Sequence, residues 1–182
     1  AYRVTLFCAL TCARFGEAAR LEWKDIDLGL GSATFRGTKN GTDRTIPLSQ
    51  TLVEFLRELK QERGANRDRQ NDLVFPNGDG TMYRQTPQPF RKVVEVLGLN
   101  EGRDKLDRVV FHSLRHTGAT RLAQINTPLP DLMSLAGWKT ASMALRYAHS
   151  NDASKRRAMS ALESMTQVEA PKVVELYGGK SS

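Results

Sequence analysis

The sequence has 182 residues, 40% of them hydrophobic and 26% charged. That is enough for one domain with a real core, or a domain plus a tail, and it argues against two large domains or a disordered chain. No apolar run approaches the roughly 20 residues of a membrane-spanning helix, and 27 Lys and Arg against 20 Asp and Glu leave a net charge of +7, so nucleic acid comes ahead of an acidic membrane as first partner.

The opening Ala1-Tyr2-Arg3 runs straight into a helical pattern with no signal-peptide signature, as a domain cut from a longer protein would. Helical spacing of Val4, Phe7, Cys8 and Leu10 predicts a helix from Arg3 to about Glu22, with Gly16 as its weak point. Cys8 and Cys12 read as small buried hydrophobes in that helix. Two cysteines make no disulfide framework, so a reducing, cytoplasmic setting is the expectation. Trp23 to Leu28 follows, and then Ala33 to Thr38 and Arg44 to Leu48 are strand-like. Asn40-Gly41 between them is a strong hairpin signal.

Thr51 followed by Glu54 predicts a capping box, opening a helix with Leu52, Phe55, Leu56 and Leu59 on its apolar face. The polar stretch from Glu62 to Asp72 reads as a surface loop or frayed helix end, and Leu73 to Phe75 as a short strand closed by Pro76-Asn77-Gly78. A helix from about Pro87 to Leu97 turns Phe90, Val93, Val94 and Leu97 inward and stops at Gly98. After Val109-Val110-Phe111 come three helices: one from near Ser113, one from near Pro130 to Gly137, one from about Thr140 to Ala148. Asn151 to Met165 is again helix-like, and the tail carries one apolar patch, Val173 to Tyr177. The fold class predicted is α+β, mostly helical, with a small antiparallel sheet in the N-terminal half.

Histidine is the scarcest titratable type, at His112, His116 and His149. The four-residue spacing of His112 and His116 is that of a zinc pair, but the residue after His112 is Ser113, where a metalloprotease helix carries its glutamate base. His112 and Arg115, three apart, place a proton-transfer group beside a planar, permanently charged donor fork suited to phosphate oxygens. His116 reads as a buried structural histidine, and Glu17 as a partner holding Arg14 or the next loop.

Several segments support a phosphate reading together. Thr11-Cys12-Ala13-Arg14-Phe15-Gly16-Glu17 is followed by the hairpin Thr38-Lys39-Asn40-Gly41-Thr42-Asp43-Arg44-Thr45-Ile46-Pro47-Leu48. His112 through Thr117 comes next, then Ala136-Gly137-Trp138 and Leu145-Arg146-Tyr147-Ala148-His149, with Tyr147 nine positions after Trp138. In this order they resemble the boxes of the tyrosine recombinase, or phage integrase, family. Residues 1–166 are similar to its catalytic domain, without the family's N-terminal DNA-contacting domain, and 167–182 form a C-terminal tail that docks in cis or on a neighbouring subunit. Two departures stand out: Cys12 takes the place of a glycine, and Trp138 takes a position usually held by His or Lys.

The resemblance implies the catalytic-domain fold of the DNA breaking-rejoining enzymes and a metal- and ATP-independent transesterification with no cofactor. In it Tyr147 attacks a DNA phosphodiester to give a 3′-phosphotyrosyl link and a free 5′-hydroxyl. Arg14 and Arg115 would clamp the nonbridging oxygens, Lys39 would protonate the leaving oxygen, His112 would assist on the nucleophile side, and Trp138 would pack and donate a hydrogen bond. Implied partners are double-stranded DNA and further recombinase subunits, tetrameric on DNA. A type IB topoisomerase-like enzyme and a catalytically inactive DNA-binding module stay open as alternatives.

Overall fold

The structure, a computed structural model, describes residues 1–37, 43–64, 72–147 and 152–166. Lys39, His149 and the apolar patch of the tail therefore lie outside the described residues. Eight helices and three strands are described, in the order α1 (Tyr2–Thr11), α2 (Phe15–Ala19), a 3₁₀ turn (Trp23–Asp25), β1 (Ile26–Asp27), β2 (Ser32–Phe35), β3 (Arg44–Pro47), α3 (Gln50–Gly64), α4 (Gln88–Val96), α5 (Ser113–Gln124), α6 (Leu129–Ala136), α7 (Ala141–Leu145) and α8 (Asp152–Thr166). Helix α8 belongs to a second compact unit, residues 150–182, and carries exposed Met159 and Leu162. Among the described residues no helix is long and apolar enough to cross a membrane.

The first helical stretch is broken at Cys12 rather than at Gly16. Cys12 caps α1 in the left-handed region, at φ 54°, and Arg14 is extended before α2 begins. The Glu17 carboxylate accepts the Arg14 backbone N–H at 2.8 Å, satisfying a donor that the helix start leaves free. Gly16 sits inside α2. Left-handed backbone costs a residue with a Cβ about 1–2 kcal/mol, which is why a glycine suits this corner.

Helix α1 is the centre of the core. Phe7, fully buried, meets Phe75 at 5.0 Å and Phe35 of β2 at 6.3 Å between ring centroids. A second aromatic group, Phe15, Phe90 and Phe111, joins α2 and α4 to the segment before α5, with centroids 5.0 Å apart at both steps. Strands β1, β2 and β3 form an antiparallel sheet in that order, with Ala33 opposite Ile46 and Phe35 opposite Arg44. The hairpin neck is closed by the Gly37 N–H donating to the Asp43 carboxylate at 2.9 Å.

Three local expectations change. Helix α3 starts two residues earlier than Thr51 suggests, because the Ser49 hydroxyl accepts the Leu52 N–H and Ser49 caps it instead. Leu73 makes an isolated bridge to Glu22, and residues 73–75 are buried without forming a strand. Helix α4 buries Val94 alone and leaves Val93 and Leu97 exposed, since periodicity identifies an apolar face but not what covers it. Cys8 and Cys12 are free and buried, and burial pushes the Cys8 thiol up to about 12, so it stays a protonated core group.

Helix α5 packs against α1 through Gly118, where a Cβ would stand 2.5 Å from Cys12 Sγ. Gly118→Ala is expected to lower stability by about 1–3 kcal/mol, read as a fall in Tm. In a Cys12→Gly background the sulfur is gone, and the same change is expected to be neutral or stabilising by up to about 1 kcal/mol, as for Gly→Ala inside a helix. An equal loss in both backgrounds would refute the close approach as the cause.

Candidate active site

Three elements bring charged side chains to one place: the start of α2, β3 and α5. Arg14 stands at the start of α2, where Glu17 binds both its backbone N–H and its guanidinium, the latter at 2.9 Å. Arg14 also reaches across to the Gly137 carbonyl at 3.3 Å. Glu17 is 5% exposed and takes a second arginine, Arg44 of β3, at 2.6 Å. Burial alone would raise the Glu17 pKa, but the Arg44 charge and the hydrogen bonds from Arg14 and Arg44 outweigh it and hold the carboxyl below its usual range.

Arg115, on the first turn of α5, is 3% exposed. Its guanidinium donates to the Cys12 carbonyl at 2.5 Å and to the Ala136 carbonyl, tying the α1–α2 corner to the end of α6. Burial, then the Arg14 charge, presses its pKa down to about 10, which leaves it cationic at neutral pH. Arg14 and Arg44 thus bind one buried carboxylate, Glu17, whose charge Arg115 also feels, and the surplus of positive charge is what an incoming anion would meet.

Gly137 closes α6 in the left-handed region at φ 63°, and a Cβ there would stand 2.6 Å from Arg44 Nε. Glycine is needed twice over, for its backbone angle and for the passage of Arg44 beneath it. The next residue, Trp138, lies between two partners. The Arg115 guanidinium sits 5.4 Å from its ring centre, and Tyr147 stacks on it at 5.0 Å with 9° between planes. Tyr147 follows the five-residue helix α7 and is half-buried. Burial raises its pKa, while Arg115 and Arg146 pull it down without cancelling that effect, so the resting phenol is protonated.

The structure thus brings Arg14, Arg115, Trp138 and Tyr147 together. His112, the exposed residue just before α5, joins them through His116, whose ring it meets edge to face at 4.7 Å. Burial lowers the His112 pKa, and His116, Arg115 and Arg14 lower it further. His116 is not the buried structural residue predicted. It is exposed, and its Nδ1 is hydrogen-bonded to the Tyr147 hydroxyl. The signal was present: residues four apart share a helix face, so an exposed His112 implies an exposed His116. Arg44 was also passed over, although β3 alternates and Arg44 lies on the same face as fully buried Ile46.

The phage integrase family pattern matches residues 1–154. A probable integrase/recombinase of Methanocaldococcus jannaschii is 33% identical over 144 residues, which are 78% of this chain and 43% of that protein. The crystal structure of the XerH site-specific recombinase bound to its difH substrate is 25% identical, with a TM-score of 0.64 over 88% of this chain and 46% of that one. The catalytic domain of bacteriophage HP1 integrase superposes with a TM-score of 0.61 at 23% identity, covering 87% of this chain and 79% of that domain. The chain spans less than half the length of these curated relatives and of XerH.

Proposed function

Because the chain belongs to the phage integrase family and has the fold of its catalytic domains, we propose that it is the catalytic domain of a site-specific DNA recombinase. The observation that carries the reading is the placement of one tyrosine hydroxyl beside a histidine nitrogen, at the edge of a three-arginine cluster. A phenol with an ordinary pKa near 10 needs a base to become a nucleophile, and a phosphodiester under attack needs donors for the charge that develops on its oxygens. Both needs are met within this one group of side chains.

In the proposed reaction Tyr147 attacks the scissile phosphorus and forms a 3′-phosphotyrosyl bond. Arg115 and Arg14 receive the nonbridging oxygens, and Trp138 supports the tyrosine ring by stacking. Lys39, which lies in sequence between β2 and β3 and outside the described residues, is proposed to protonate the leaving 5′-oxygen, and His112 to act on the nucleophile side. The phosphotyrosyl bond conserves the energy of the phosphodiester for rejoining, so the reading involves no ATP, metal or cofactor. Double-stranded DNA is the proposed substrate and further copies of the recombinase the proposed partners in a tetramer on DNA.

A pool of nicked duplexes with a randomised segment tests this. A nick just beyond the cleavage site lets the short fragment that bears the new 5′-hydroxyl diffuse away and traps the covalent complex. The 182-residue protein is expected to give a DNA adduct that survives denaturing electrophoresis, and Tyr147→Phe none. No adduct from the wild-type protein, with duplex binding retained, would leave a binding module instead.

A further inference from the structure

We propose that His116 is the proton acceptor for the Tyr147 hydroxyl, an inference that rests on the recombinase reading and deepens it. Among the described residues, His116 is the histidine hydrogen-bonded to that hydroxyl, through Nδ1. His112 touches the His116 ring, not the phenol.

The geometry restricts the pair from several sides. Trp138 lies flat against the Tyr147 ring, and the rings of His116 and Tyr147 have centroids 5.8 Å apart. Stacking of this kind leaves the phenol little freedom except rotation of its O–H, and that bond has a nitrogen lone pair in front of it. The assignment requires the neutral tautomer with hydrogen on Nε2, so that Nδ1 accepts. His116 is exposed, so its outer edge can pass a gained proton to water.

The step balances without a further reactant. The Tyr147 O–H bond breaks and its proton moves to His116 Nδ1. The phenolate oxygen forms the bond to phosphorus, the bond from phosphorus to the 5′-oxygen breaks, and that oxygen takes its proton from a separate acid, the role proposed above for Lys39. Water then receives the proton from His116. In rejoining, the same nitrogen returns a proton to the departing phenol. Burial keeps Tyr147 protonated at rest, which makes an adjacent acceptor necessary rather than incidental.

Two measurements on the 182-residue protein test this. Nitrogen-15 NMR of the histidine rings is expected to show His116 Nδ1 shifting in Tyr147→Phe by more than Nε2 does, and unchanged His116 nitrogens would overturn the contact itself. Single-turnover adduct formation is then compared for wild type and His116→Gln on DNA with an oxygen or a sulfur at the bridging 5′ position. Sulfur leaves without a proton, so it rescues the loss of the leaving-group acid but not of the nucleophile's base. The expected result is a loss of roughly 100-fold or more on both substrates, partly restored by added imidazole in His116→Gly, with Tm unchanged for an exposed side chain. Cleavage at the wild-type rate, or rescue by sulfur, would overturn the assignment. No adduct from the wild-type protein would instead remove the recombinase reading, and the proton transfer with it.

Discussion

Arg115→Lys is expected to lower the single-turnover rate of covalent adduct formation roughly 100- to 1000-fold, the usual cost of removing one preorganised donor from a developing oxyanion. A lysine keeps the charge, so the size of the loss measures geometry. The guanidinium spans the Cys12 and Ala136 carbonyls while facing the Trp138 ring, and a single ammonium cannot do all three. The same substitution should loosen the joint between the α1–α2 corner and the end of α6. Circular dichroism and thermal unfolding separate the two effects, because a variant that is folded at the assay temperature and still slow reports on chemistry. A rate within the wild-type range would mean that Arg115 is a structural tie and nothing more.

Glu17→Gln carries the second large effect, this time on stability. The carboxylate neutralises part of the charge of Arg14, Arg44 and Arg115, and its side chain is 3% exposed. Removing one partner of a buried ion pair leaves uncompensated charge and costs about 3–5 kcal/mol. The pH dependence has a definite sign. Because the folded-state pKa of Glu17 is depressed, its contribution is fully present above the ordinary carboxylate pKa. It is lost as pH falls through the lower folded value. Tm measured from about pH 6 down to about pH 3 should fall more steeply in wild type than in Glu17→Gln, so that the two curves converge. Parallel curves would show that the charge of Glu17 is not what holds the cluster.

Most of the architecture was legible from short-range signals. Gly98 and Gly137 mark the ends of α4 and α6 with positive φ, as expected of glycine stops. Strands β2 and β3 pair antiparallel, as the two strand-like runs predicted. The break at Cys12 was hidden because a cysteine in the left-handed region has no composition signal, and only the family's glycine at that position hints at the turn. The exposure of Val93 and Leu97 on α4 was equally hidden, since it depends on neighbours distant in sequence.

The site divides in the same way. Arg14, Arg115, Trp138 and Tyr147 were identifiable as a set from motif order, but their contacts were not. That Trp138 meets both a guanidinium and the phenol follows from where α6 ends and α7 begins, a tertiary fact. Arg44 escaped because a strand arginine beside a hairpin reads as a solvated surface residue, whereas here it lies over the Phe35 ring at 4.5 Å and binds Glu17. His116 escaped because it was read as a buried structural histidine, although it lies one helical turn from His112 on the same face.

Peptide mapping of the trapped adduct identifies the nucleophile. After digestion with trypsin and nuclease, the expected product is a nucleotide joined through its 3′-phosphate to the peptide that begins at Tyr147, which follows Arg146 in the chain. A nucleotide on any other peptide, or an adduct that persists in Tyr147→Phe, would contradict it.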